Sequence, residues 1–203
     1  MTDYISASDF KTRFNITVSG DDTRIAAHCT AASLWIDSYC GRQFGPGTTT
    51  TRTFEPDSWG LVRIDDCHTI TAVTIDITDD GTYSTTLTAD TDYTPLPHNG
   101  VGPNGQTGWP TTMLEATGRT YWFPKSNYRK RSVKVAATFG WAAIPTDIKE
   151  AAYLLAHRLY YEVDVPSGNV PGGEFGAVPL RRPWTAQMLL KQYMRADRML
   201  GII

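Results

Sequence analysis

Apolar residues return at helical spacing in four places along this chain, and at strand spacing through most of the interval between the second and third. Ser6 and Asp9 form an N-cap pair ahead of a short helix that sets Phe10 and Phe14 on one face. Ser19-Gly20-Asp21-Asp22 repeats the capping pattern. A longer helix then carries Ile25, Cys29, Ala32, Ile36 and Tyr39 at helical spacing, with Gly41 suited to its C′ position. At roughly 1.5 Å per residue this helix spans about 30 Å. A third helix starts near Thr146, with Asp147 and Glu150 in its first turn and Ile148, Ala152, Leu155 and Leu159 as its core stripe. The fourth lies beyond Pro183, with Ala186, Leu189, Tyr193, Ala196 and Leu200 on one face and Lys191, Arg195 and Arg198 on its flank.

After Gly45-Pro46-Gly47 the period shortens toward two. Strands are predicted over Thr49–Phe54, Leu61–Ile64 and Val73–Ile77, the last alternating with Thr74, Asp76 and Thr78. Asp80-Gly81 predicts a hairpin turn, with Tyr83–Thr88 as the return strand. The Gly- and Pro-rich stretch 95–110 reads as a long loop, and further strands are expected over Met113–Ala116, Arg119–Phe123 and Ser132–Phe139. In the last, Val133, Val135, Ala137 and Phe139 face one way.

These elements make the fold class α+β. Long helices from both halves of the chain form a helical core, because neither can bury its stripe alone. An antiparallel β lobe is inserted between them, and an extended C-terminal arm ends in a helix. The segments run 1–45 (N-terminal helical part), 46–140 (β lobe), 141–163 (second core helix), 164–183 (flexible Gly/Pro-rich arm) and 184–203 (C-terminal docking helix). The arm predicts a terminal helix that is mobile in the free protein.

With 203 residues and 41% hydrophobic content, the chain can bury one good core and a second lobe. It holds no apolar run long enough to span a membrane, and its start has no signal-peptide pattern. Three cysteines cannot all pair with one another, so free thiols in a reducing compartment are expected. The net charge of −2 conceals a polarity along the sequence. Residues 1–118 hold 6 Lys and Arg against 15 Asp and Glu, and residues 119–203 hold 13 against 6. Such asymmetry suits head-to-tail contact between copies or contact with an acidic partner, and equally two solvated faces.

The chain carries no catalytic signature. His28-Cys29 and Cys67-His68 are adjacent pairs, but zinc needs two ligand pairs at short fixed spacing, and none exists. There is no G-x-S-x-G, H-E-x-x-H or phosphate-cradling glycine loop, and Gly172-Gly173-Glu174-Phe175-Gly176 reads as a joint in a linker. No catalytic residue, metal or cofactor is assigned. Arg129, Lys130 and Arg131 follow Tyr121, Trp122, Phe123 and Tyr128; they read as a soluble hairpin tip or as a contact to DNA or a partner. The terminal helix carries a heavy apolar load, including Trp184, Leu189, Tyr193 and Met194. It packs on its own domain or docks into a partner's groove.

From Ser8 to Phe44, the short helix, Gly20-Asp21-Asp22 and the long helix ending Tyr39-Cys40-Gly41-Arg42-Gln43-Phe44 resemble the opening of the head-tail connector (adaptor) proteins of long-tailed bacteriophages. The strand running into Pro145, followed by Asp147-Ile148-Lys149-Glu150-Ala151-Ala152, resembles that family's second half. The resemblance implies a structural, non-enzymatic virion part at the head-tail interface, made in the host bacterial cytoplasm. It implies a ring, twelvefold by family pattern, between the portal protein and a downstream stopper, neck or tail protein, with genomic DNA passing through the lumen without sequence-specific binding. The C-terminal segment would dock on the portal through Trp184, Leu189, Tyr193, Met194, Arg195 and Arg198. Other readings are a stopper or tail-completion protein and, more remotely, a small hydrolase using Cys67 or His68.

Overall fold

A computed structural model describes residues 3–18, 20–103, 105–125, 131–162, 169–170, 178–179 and 184–195. It is mixed helix and antiparallel sheet, and the chain divides into two compact units. Unit 1 is built from Met1–Gly45 and Ile144–Ile203; unit 2 is Pro46–Ala143.

In unit 1, helix α1 spans Ala7–Phe14, α2 spans Asp22–Cys40, α3 spans Thr146–Glu162 and α4 spans Trp184–Leu190. Ser6 caps α1, its hydroxyl accepting from the Asp9 amide at 3.1 Å, and Asn15 ends the helix in a left-handed conformation. Phe10 is fully buried, which stabilises the unit by roughly 1.5–3 kcal/mol. Its ring meets Tyr160 of α3, while Phe14 lies 4.3 Å from the His157 ring. One guanidinium nitrogen of Arg13, Nη2, donates to both carboxylate oxygens of Glu150, at 2.6 and 2.7 Å.

Ile25, Cys29, Ala32, Ser33 and Ile36 of α2 are buried, as are Ile148, Ala151, Ala152, Leu155 and Ala156 of α3. Small residues on both stripes let the two helices approach closely. Asp21 stands at the N-cap of α2, but its side chain makes no capping bond. It instead accepts from the Tyr160 hydroxyl at 2.8 Å and pairs with Arg24, so it ties α2 to α3.

In unit 2 the strands are β1 (Pro46–Phe54), β2 (Pro56–Ser58), β3 (Leu61–Ile75), β4 (Thr85–Leu87), β5 (Tyr93–Leu96), β6 (Thr111–Ala116) and β7 (Val133–Gly140). The order is β1-β7-β3-β6-β5, with β2 and β4 also paired to β3. The stretches Leu61–Ile64 and Val73–Ile75, expected as separate strands, belong to one strand, β3. Its register slips between Arg63 and Cys67, between Cys67 and Thr69, and between Ile70 and Ala72. Such irregularities bend a strand and strengthen its twist. Val62 and Ile64 from one end therefore share a core with Val73 and Ile75 from the other, together with Leu114, Phe123 and the inward row of β7.

Two expectations are corrected in this unit. Arg119–Phe123 is not a strand: Phe123 plugs the core from an irregular segment whose amide donates to the Trp59 carbonyl at 2.8 Å. Conversely, Tyr93–Leu96 is a strand in spite of Pro95, because it lies at the sheet edge, where a missing N–H breaks no ladder.

The terminal helix also differs from expectation. It ends at Leu190 and passes into a single 3-10 turn over Lys191–Tyr193. Ala186, Leu190 and Tyr193 are buried within unit 1. This segment is seated on its own unit rather than standing off from it. The expected arm over 164–183 lies outside the described residues except for 169–170 and 178–179, which pair as two-residue strands β8 and β9. Among the described residues, no helix is long and apolar enough to cross a membrane.

Gly47 sits where β1 crosses β7, and a Cβ there would fall 1.6 Å from the Phe139 carbonyl oxygen. Gly47→Ala should displace the start of β1 and destabilise unit 2 by about 1–3 kcal/mol, at the upper end of that range, read as a lowered urea midpoint.

Candidate functional site: the outer face of α2 and the C-terminal segment

The end of α2 gathers the parts of unit 1. The Tyr4 amide donates to Ser33 Oγ at 3.0 Å, and its hydroxyl donates to the Asp37 carboxylate. That hydroxyl accepts from the Phe44 amide at 3.0 Å. Phe44 is fully buried, with Tyr4 edge-on at 6.0 Å and Tyr193 at 5.5 Å between ring centres. The Arg195 amide donates to the Cys40 carbonyl at 3.1 Å, and Gln192 donates to Asp147 at 2.7 Å. Burial pushes the Tyr4 hydroxyl well above its usual range, helped by the bond to Asp37, and burial likewise raises the Asp37 carboxyl.

The residues expected to dock on a partner separate within this framework. Tyr193 faces inward and holds unit 1 together; its hydroxyl also donates to Asp147 at 3.3 Å. Leu189, Met194 and Arg195 are half-buried. Trp184 opens α4, and Arg198 lies outside the described residues. Met188, part of the helix's apolar load but not among the residues expected to meet the portal, is 65% exposed. Its position one step off the Ala186–Leu190 stripe was the available signal. Of the basic cluster, Arg129 and Lys130 lie outside the described residues, and Arg131 is exposed, its carbonyl accepting from the Tyr83 hydroxyl at 2.6 Å.

A second surface emerges on α2. From Ile25 to Ile36 the helix holds no Asp, Glu, Lys or Arg. Its inner positions are buried, yet Ala26, Ala27, Ala31, Leu34 and Trp35 are exposed. Trp35 stacks on Tyr39 at 4.9 Å with 9° between planes. A helix without charged residues on either face suits a position between two layers of protein, and among the described residues these side chains remain exposed.

Cys67 is buried while His68 is exposed, so the two do not form a nucleophile–base pair. Burial pushes the Cys67 and Cys40 thiols up to about 12 and Cys29 to about 11. Among the described residues no group of three or more candidate ligands gathers to hold a metal ion.

The architecture matches chains of known structure along nearly its full length. One lies in the neck of a native gene transfer agent (GTA) particle computed with C12 symmetry, at a TM-score of 0.51 and 18% identity, covering 94% of this chain and 88% of that one. Another lies in the neck of an empty GTA particle computed with C6 symmetry, at a TM-score of 0.55 and 17% identity, covering 95% and 90%. This chain shares the fold of a GTA neck protein. The likeness is consistent with the head-tail connector resemblance read from the sequence. No protein-family model matches the sequence, and no curated protein matches it.

The charge polarity along the sequence does not become a polarity between units. Unit 1 carries 11 basic and 11 acidic residues and unit 2 carries 8 and 10, because the acidic and basic halves of the chain are interleaved by the insertion.

The raised thiols and tyrosines set an alkaline limit. A group whose folded pKa lies above its unfolded value contributes stability that is whole below the unfolded pKa and lost as pH rises toward the folded one. For the cysteines that window opens at 9.0 and closes at about 12. The urea midpoint should fall steadily across it. Native protein at about pH 8 should leave all three thiols unmodified by a thiol reagent that labels them rapidly in urea.

Proposed function

We propose that this protein is a structural adaptor of a phage-like neck, a ring-forming part between the portal and the downstream neck or tail proteins around the DNA channel, with no enzymatic role. The observation that carries the reading is the uncharged outer face of α2, on a fold shared almost end to end with chains of cyclic neck assemblies. A cyclic ring needs each subunit to present two different surfaces to its neighbours. The face running from Ala26 to Trp35 supplies one of them, and its alanines allow a neighbouring element to lie close against the helix.

The C-terminal segment is the portal-facing element in this reading. Met188 leads it, with Leu189, Met194 and Arg195 at its margin and Trp184 and Arg198 completing it, while Tyr193 anchors it to unit 1. Arg129, Lys130 and Arg131 then belong to the lobe that meets the lumen or the downstream partner. Genomic DNA passes such a lumen without sequence-specific binding, and the finished protein resides in the virion.

Two substitutions separate the two contacts. Leu34→Glu places a charge on the exposed face of α2 and should leave the unfolding free energy within about 0.5 kcal/mol. It should nevertheless prevent twelvefold loading onto the purified portal of the same virus, measured by native mass. Met188→Glu should lower portal co-sedimentation at least tenfold, a loss of about 1.4 kcal/mol in binding, with folding intact. A protein that never co-sediments with the portal, wild type included, belongs elsewhere in the neck or tail as a stopper or completion protein.

A further inference from the structure

Between Ala116 and Thr146 the sequence holds six basic residues and no acidic one. Arg119, Lys125 and Arg131 of this stretch are exposed. Among them stands Trp122, 54% exposed, and beside it on the β2–β3 turn is Trp59, 58% exposed. Charges alone would keep such a strip soluble, so two open indoles call for another explanation.

The Trp122 indole is held in place, with the Trp59 backbone bonded beside it. Phe123, next to Trp122, is fully buried in the core of unit 2, and its amide is bonded to the Trp59 carbonyl. The Trp122 ring lies over Gly118 and Gly60: a Cβ on Gly118 would stand 2.6 Å from the ring, and one on Gly60 at 3.4 Å. Gly118 also has φ +70, which disfavours any other residue. The ring thus rests on a floor without side chains. Ser132 Oγ donates to the Pro124 carbonyl, which holds Pro124 against the start of β7. Of the neighbouring acids, Asp57 is engaged by Arg63 at 2.7 Å, and Glu115 precedes the strip on β6.

Tryptophan and arginine are the residues most enriched where protein–protein binding energy concentrates, and an anchor fixed in advance loses little entropy on binding. Duplex DNA would satisfy the cations but offers no unstacked base to an indole. We infer that Trp59 and Trp122, rimmed by Arg119, Lys125 and Arg131, form a docking site for a partner protein that presents an apolar group among carboxylates. The site is built from residues of unit 2, whereas the α2 and C-terminal contacts are built from residues of unit 1, so it holds or fails independently of the adaptor reading.

The test uses the full chain to select binders from a random peptide library, followed by titration of the enriched peptides. Enriched peptides should place an aromatic or aliphatic residue between Asp or Glu. Their affinity should fall at least tenfold for Trp122→Ala and for Arg119→Glu, the latter an exposed position whose change leaves the core untouched. Their binding should also shift the Trp122 indole N–H resonance, assigned with Trp122→Phe. No enrichment, enrichment without acidic residues, or binding unchanged in both variants overturns the proposal. So does a duplex oligonucleotide that moves the Trp122 resonance where the peptides do not, which would assign the strip to nucleic acid.

Discussion

Unit 1 depends on the burial of Phe44. This residue lies just past the C-terminus of α2, and it is enclosed by Tyr4 from the start of the chain and Tyr193 from near its end. Three segments far apart in sequence are thereby closed on one ring. The hydrogen bonds around it follow the same plan: the Tyr4 hydroxyl bridges the Phe44 amide and the Asp37 carboxylate, and the Cys40 carbonyl receives Arg195. The raised Tyr4, Asp37 and Cys40 pKa values are consequences of this closure, since burial disfavours the charged form of each group. The C-terminal segment is therefore both part of the fold and a candidate contact surface. Its inward side chains hold unit 1 together, and its outward ones are free to meet something else.

Unit 2 solves a different problem. Among the described residues its core is enclosed by one sheet, and the bulged β3 does this by bending. Asp66 and Cys67, consecutive in sequence, both turn inward at the irregular register, and the Trp141 indole nitrogen donates to Asp66 at 3.2 Å. The sharp bend thus has its own polar support.

The helices were legible because their signals are local. Ser6 and Gly41 cap where their chemistry requires, and of the predicted stripe Ile25, Cys29, Ala32 and Ile36 are buried while Tyr39 is half-buried. The pairing of strands on either side of Asp80-Gly81 was legible, but not as a tight hairpin. Residues 76–84 join Ile75 to its partner Thr85, with Gly81 at a positive φ and its amide donating to Asp76 at 2.7 Å, so both strands are shorter than expected. The continuity of β3 was hidden, since its slips destroy the two-residue alternation on which the reading relied. The outward apolar face of α2 was hidden as well, because a stripe search rewards the buried side and is silent about the other. The two halves of opposite charge misled, since a chain whose first and last parts fold together mixes its ends.

The lobe leaves and re-enters the helical frame through neighbouring points. Gly45 gives way to β1, and Pro46 is paired with Gly140 just before the chain returns at Ile144. Such an insertion is a cassette. Its hairpins can lengthen, shorten or acquire new tips over evolutionary time while the frame that carries it keeps its spacing. Chains of this fold can therefore diverge in the lobe without altering how the helices of the frame pack on one another.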